Sequence, residues 1–250
     1  MFRHQGKSRT LNHNLRIATI LSFVAGIVNV TGFLAFHQLT TNVTGHFALF
    51  ISDVANFEFW KGTVYFLYIF SFLLGSFLSS FLIEKFNGNK KLNVFVLPTA
   101  IECLILTFIS FLSTVTALEY PNFIVCSLLF AMGLQNSFVT KISNAVVRTT
   151  HLTGLFTDLG IELSQLFFPK SHPNREKIKS TIKLRSYIIC FFFIGGISGG
   201  FFYSRLDLKL HTLIIGAVIL ATSLFYDDLR YRLIRTKRKY RQRKNAHRLV

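Results

Sequence analysis

The chain consists of long apolar runs separated by short polar or basic segments. A helix needs about 20 apolar residues to cross the hydrocarbon core of a membrane. Six segments meet or approach that length, so the pattern predicts six transmembrane helices. These lie at about residues 15–37, 63–85, 94–117, 123–140, 186–205 and 210–226.

The basic residues predict how these helices are oriented. With six spans, the N-terminal arm, the loop near 86–93, the connection 141–185 and the tail after Asp227 share one side and hold 25 Lys and Arg residues. The other side holds three, which are Lys61, Arg205 and Lys209. Because Lys and Arg accumulate in cytoplasmic loops, we expect a multi-pass protein of the cell membrane with both termini in the cytoplasm.

The composition favours a membrane protein over a soluble one. Hydrophobic residues make up 51% of the 250-residue chain and charged residues 16%, whereas soluble domains carry about 25% charged residues. The basic residues that give the net charge of +17 lie between the apolar runs. We therefore expect the lipid bilayer as partner and no binding of nucleic acid. The three cysteines form no CxxC or Cys/His cluster, and we therefore predict no metal site and no cofactor.

Polar and small residues recur at a nearly constant separation. The pattern FxxGxxN begins at residue 23 and again at residue 130, and TTxxTGxF begins at residue 40 and again at residue 149. Lipid does not select for Asn, Thr or Gly, so the ordered recurrence indicates an internal repeat.

The repeat predicts the architecture of the whole chain. A first repeat at 15–117 and a second at 118–226 lie between a basic cytoplasmic arm at 1–14 and a basic cytoplasmic tail at 227–250. Each repeat holds three spans, and an odd number makes the second repeat enter the membrane from the opposite side. The predicted fold is an all-α membrane protein of six transmembrane helices in two inverted three-helix repeats, as in many secondary transporters.

Two segments, 38–56 and 149–168, are too polar and too short to span the membrane. Each begins with threonines that can cap a helix. If these are re-entrant, broken helices, their N-terminal amides point inward and can bind an anion or a carboxylate. The alternative is a pair of interfacial amphipathic helices on opposite faces of the bilayer.

The same residues carry a resemblance to a known family. The two TG segments, together with GIVNVTGFLAF at 26–36, MGLQN at 132–136 and the acid Glu102, resemble the YoaK family of uncharacterised bacterial membrane proteins. The resemblance extends from about residue 15 to 226. In that family an acid is more usual at the position of Asn29, and TGN is more usual than the TGH found here. The resemblance implies a multi-spanning membrane protein and no particular activity.

Candidate binding residues are the polar groups inside the predicted spans and the two Thr-Gly pairs. We expect them to form a substrate site between the repeats, lined by Asn29, Asn136, Gln135, Thr44, Gly45, Thr153 and Gly154. The amides could instead bond across helices for packing alone. An unpaired carboxylate in a span costs about 2.5 kcal/mol or more. Glu102 is therefore predicted to bind a coupling proton or cation, or else to be a neutral structural acid.

These features favour a secondary transporter of a small molecule or ion, coupled to protons through Glu102. The chain has no GxSxG, Walker or HExxH pattern, so we predict neither an enzyme nor a primary pump. Two alternatives stay open: a membrane enzyme acting on a lipid, and a scaffold or sensor whose basic tail binds anionic lipid head groups. Small-residue pairs at Gly75/Ser79 and Gly195/Gly199 predict close helix packing within the chain or in a homodimer.

Overall fold

A computed structural model describes residues 10–86, 94–112, 114–143, 145–168 and 174–226, and all regular structure within them is helical. The helices are α1 (Leu11–Phe36), α2 (Val43–Ala55), α3 (Phe59–Phe86), α4 (Val96–Ser110), α5 (Thr114–Glu119), α6 (Pro121–Ser143), α7 (Leu152–Gln165), α8 (Arg175–Ser204) and α9 (Lys209–Tyr226). The predicted basic tail and the first nine residues of the basic arm lie outside the described residues.

Five helices, α1, α3, α6, α8 and α9, are long and apolar enough to cross a membrane. They coincide with five of the six predicted spans. The third predicted span, 94–117, is divided, because α4 ends at Ser110 and the short helix α5 begins at Thr114. At 15 residues, α4 is about 22 Å long, so six spans remain a prediction.

Two of the long helices extend well beyond the predicted spans. Helix α1 begins at Leu11 and α8 begins at Arg175, whereas hydropathy placed their starts at 15 and 186. Hydropathy identifies only the apolar part of a helix, which matches the hydrocarbon of the bilayer. The helix itself can extend further, because the backbone hydrogen bonds of a helix also form where its side chains are polar and lie in water.

The long helices pack across the two halves of the chain. Helix α1 packs mainly against α8, and α6 packs mainly against α3. The short helices stay within their own halves, with α2 on α3 and α7 on α8, while α4 packs against α6. In the most apolar 18 residues of each helix, 61% of the residues are buried in α1 and in α6, against 22% in α3 and 17% in α8. The first helix of each half is therefore central, and its partner from the other half is peripheral.

Glycine brings α1 and α8 into backbone contact. A Cβ at Gly26 would clash with the carbonyl oxygen of Phe192, and a Cβ at Gly195 would clash with that of Phe23. Gly199 lies against the backbone of Ile27 one turn further along. The Gly195/Gly199 pair therefore packs within the chain.

The contact between α6 and α3 has the same construction. A Cβ at Gly133 would clash with the carbonyl oxygen of Phe72, and a Cβ at Gly75 would clash with that of Phe130. The Ser76 hydroxyl donates to the carbonyl oxygen of Gly133 at 3.1 Å. These are the positions that the repeat makes equivalent to Gly26 and Gly195, so the two contacts use matching residues.

Large apolar side chains cover the outward faces of the peripheral helices. Exposed examples on α3 and α8 are Leu73, Phe77, Phe193 and Ile197. Apolar patches of this extent are unusual on soluble monomers, and lipid is the solvent that suits them. This surface accommodates many of the 29 phenylalanines of the chain.

We expect Gly133→Ala to lower the thermal stability of the detergent-solubilised protein. The new methyl group meets the Phe72 carbonyl, and overpacking of this kind costs about 1–3 kcal/mol. The matched control is Gly160→Ala in α7, where a Cβ would meet nothing within 4 Å. Thermal unfolding should show destabilisation for the first variant only, and equal midpoints for the two variants would contradict the packing described here.

Candidate functional site

The N-terminus of α2 is anchored to the interior of α1. His37 ends α1 in a left-handed conformation with φ 55°, and the chain turns back along the helix. The Thr41 hydroxyl and backbone N–H both donate to Asn29 Oδ1, at 2.9 and 3.3 Å. Asn29 lies seven residues before the end of α1 at Phe36. Helix α2 therefore begins beside the interior of α1, about 10 Å from the helix end.

The second half repeats this anchoring. Asn136 lies seven residues before the end of α6 at Ser143, and its Nδ2 donates to the Thr150 hydroxyl at 2.6 Å. Gln135 Nε2 donates to Thr149 Oγ1 at 3.1 Å. The chain then enters α7 at Leu152.

A cleft of about 1080 Å³ lies between the two anchored helix starts and is lined by both halves of the chain. Six of the seven predicted binding residues line it, namely Asn29, Asn136, Thr44, Gly45, Thr153 and Gly154. Gln135 does not line the cleft. It is fully buried, and its Nε2 also donates to the carbonyl oxygen of Leu21 at 3.1 Å, so its position is that of a structural amide.

The two helix starts differ in how their amides are satisfied. In α2, Asn42 Oδ1 accepts a hydrogen bond from the N–H of Gly45 at 3.2 Å. In α7, the corresponding residue His151 makes no side-chain capping bond. No side chain in the described part of the chain therefore accepts from the first-turn amides of α7, and such amides carry partial positive charge.

The predicted binding residues did not include the charged residues of the cleft, which all belong to the second half. Arg148 and Asp158 line it beside His151. The positions that the repeat makes equivalent to Arg148 and Asp158 carry leucine, so the repeat could not signal them. No group of three or more His, Cys, Asp or Glu residues among those described is placed to hold a metal ion.

Arg185 on α8 clamps α7 through two carboxylates. Its Nη1 lies 2.7 Å from Asp158 Oδ2, and its Nε and Nη2 lie 2.8 and 3.0 Å from the two oxygens of Glu162. Asp158 and Glu162 are four residues apart and share one face of a helix. That spacing is a sequence signal, but the partner Arg185 lies 23 residues beyond Glu162 and could not be identified from it.

The first half uses aromatic contacts where the second half uses ions. His46 on α2 is 2% exposed, and its Nε2 donates to the carbonyl oxygen of Leu39 at 2.8 Å. Its ring stacks on Tyr65 and meets Tyr68 edge-on, with centroids 6.1 and 5.1 Å apart. Tyr65 occupies the position equivalent to Arg185. Helix α2 is therefore held to α3 by aromatic packing.

Glu102 lies away from the cleft in the middle of α4. It is fully buried, and neither carboxyl oxygen has a hydrogen-bond partner among the described residues. Helix α4 packs against α6, which carries Asn136. The structure therefore places Glu102 one helix away from the other predicted site residues.

The all-helical fold and its five long apolar helices define a multi-pass membrane protein. Over residues 17–226 the chain matches the family described as protein of unknown function DUF1275, and it belongs to that family. It is similar to the UPF0700 transmembrane protein YoaK of Bacillus subtilis (strain 168), with 26% identity over 185 residues, covering 72% of this chain and 80% of that protein. The resemblance to the YoaK family is thereby confirmed. No solved structure matches the chain.

Removal of the Arg185 guanidinium should loosen α7. Arg185→Gln leaves Asp158 and Glu162 without their cation, and hydrogen bonds between charged groups contribute about 1.5–3 kcal/mol. We expect amide hydrogen exchange in α7 to accelerate by about tenfold or more, with α2 unchanged. Lys179→Gln is the control, because Lys179 pairs with Glu176 on the same helix but both side chains are well exposed. Equal exchange in the two variants would show that the clamp does not hold α7.

Proposed function

We propose that this protein is a secondary transporter whose substrate site is the cleft between the two halves. The observation that carries the proposal is the lining of the cleft. Equivalent residues from both halves, Asn29 with Asn136 and Thr44 with Thr153, face one shared space. Transporters built from inverted repeats bind substrate at such a repeat interface, next to the N-termini of broken helices.

We further propose that the two halves insert in opposite directions, with six spans and with α2 and α7 re-entering the membrane from opposite sides. The anchoring of Thr41 and Thr150 to the interiors of α1 and α6 supports re-entry. The outward faces of both short helices support it as well, since they expose large apolar side chains. These are Phe47, Leu49 and Ile51 on α2, and Phe156, Ile161 and Leu163 on α7.

In this arrangement α4 is the third span, although it is short. A short span is accommodated by local thinning of the bilayer and by flanking residues, at a modest cost. With six spans, 25 of the 28 Lys and Arg residues of the chain lie on one side, which we assign to the cytoplasm.

Glu102 is our candidate for proton coupling. A carboxyl group that is fully buried without a hydrogen-bond partner is accommodated in neutral form far more readily than as a bare carboxylate. Because Glu102 does not line the cleft, its protonation would act on the substrate site through the packing of α4 on α6.

The proposed topology predicts that the chain after α2 and the chain after α7 lie on opposite sides of the membrane and are labelled from opposite sides. Trp60, in the first turn of α3, and Phe167, after α7, are 89% and 82% exposed. In a background without the three native cysteines, a membrane-impermeant thiol reagent applied to intact cells should label Trp60→Cys. Phe167→Cys should react only after permeabilisation. Labelling of both sites from the same side would refute inverted insertion.

Transport is tested in proteoliposomes with a panel of small organic anions, cations and neutral polar solutes. At least one solute should enter faster than in protein-free vesicles, and Asn136→Ala should reduce that flux by about tenfold, the loss expected for roughly one charged or well-placed hydrogen bond. The control is Thr63→Val, since the exposed Thr63 hydroxyl bonds only to the Phe59 carbonyl of its own helix. Equal flux in the two variants would place the substrate elsewhere.

In the same vesicles, Glu102→Gln removes the titratable group and keeps nearly the same shape. We expect it to abolish the dependence of flux on a pH gradient. A gradient-driven flux that persists in Glu102→Gln would assign proton coupling to another residue.

A further inference from the structure

Arg148 is the one charged side chain of the cleft that the described part of the chain leaves uncommitted. It lies between α6 and α7, is exposed, and lines both the cleft and an adjoining cavity of about 290 Å³. It makes no hydrogen bond or ion pair with any residue in the described ranges. A guanidinium has five N–H donors and no acceptor, so these donors are open to a ligand.

The acids near Arg148 are already paired with another cation. Asp158 lines the same two cavities, but its carboxylate is bound by Arg185 at 2.7 Å. Glu162 is bound by the same guanidinium through both of its oxygens. Arg185 thus offsets one of these two negative charges. Arg148 supplies the second positive charge of the region without a bond to either carboxylate, so its N–H donors are open to a ligand.

Asn29 contributes a second open donor from the other half of the chain. The backbone N–H of Thr41 can only donate, and it donates to Asn29 Oδ1. This bond fixes the orientation of the amide, so the oxygen is committed and the Nδ2 group remains for the cleft. Asn136 bonds to the Thr150 hydroxyl, which can act as donor or acceptor, so Asn136 can present either amide atom to a ligand.

We infer that the cleft binds a small organic carboxylate. Arg148 binds the carboxylate group of this ligand, and Asn29 and Asn136 bind the rest of the molecule. This inference rests on the proposed function in taking the cleft as the substrate site. Guanidinium and carboxylate form two parallel charge-assisted hydrogen bonds, a geometry that neither a cation nor a neutral solute provides. The first-turn amides of α7, which lack a side-chain cap, add positive potential on the same side. Phe72 and Phe192 give the cleft apolar walls suited to a short carbon skeleton.

The test is binding to the purified full-length protein, measured by calorimetry with sodium L-lactate and sodium acetate. Choline chloride and glycerol serve as the cationic and neutral probes, at matched ionic strength. We expect the carboxylates to bind, and Arg148→Gln to weaken their binding by at least about tenfold. Arg148→Lys should retain part of it. The control is Arg175→Gln, an exposed arginine outside the cleft whose guanidinium donates to the Leu166 carbonyl.

Asn29→Asp is a second variant, chosen because it preserves the hydrogen bonds that Thr41 donates. It keeps the acceptor oxygen for Thr41, replaces the open donor with an acceptor, and adds a negative charge to the cleft. Carboxylate binding should be lost in this variant, while thermal unfolding without ligand should still show one cooperative transition.

The outcomes separate this inference from the proposed function. Carboxylate binding that depends on Arg148 without any flux would keep the inference and refute the transporter. Transport of a cationic or neutral solute that depends on Asn136, without carboxylate binding, would keep the proposed function and refute the inference. Carboxylate binding that is unchanged in Arg148→Gln, or preferential binding of choline or glycerol, would overturn the inference.

Discussion

Close backbone contact between helices from opposite halves is the constraint on which the rest of the structure depends. At Gly26 and Gly195, and again at Gly133 and Gly75, the absence of a Cβ lets one helix lie against the carbonyl oxygens of another. In lipid the hydrophobic effect does not drive helices together, so association depends on such close packing. Because α1 pairs with α8 and α6 with α3, neither half can complete its packing alone. The interface that these contacts create is where the cleft forms.

The cleft also depends on how the two turned-back loops satisfy their polar groups. Backbone and side-chain polar groups that are buried in the protein must find hydrogen-bond partners there or line a polar cavity. Thr41 and Thr150 find theirs on Asn29 and Asn136, and the helix starts that follow open onto the cleft. The same asparagines thus anchor the loops and line the cleft, which joins the stability of the loops to the chemistry of the site.

The two halves share a backbone plan and differ in chemistry. The first half holds its short helix with the His46, Tyr65 and Tyr68 rings, and the second holds its own with the ion pairs of Arg185. Both charged residues that line the cleft, Arg148 and Asp158, belong to the second half. A symmetric scaffold therefore encloses an electrostatically asymmetric space.

The sequence by itself determined the membrane class, five of the long helices, the internal repeat and six residues of the cleft. These follow from local or periodic signals: apolar run length, and polar residues recurring where lipid would not select them. Only the tertiary structure decided that α1 pairs with α8, that Gln135 and Glu102 lie outside the cleft, and that Arg148 and Asp158 line it. Helical periodicity gives the face of a helix but not the helix that covers it, and residues without a repeat partner carry no recurring signal. Contacts between residues more than 150 positions apart, such as Gly26 with Phe192, are set by how whole helices fit together.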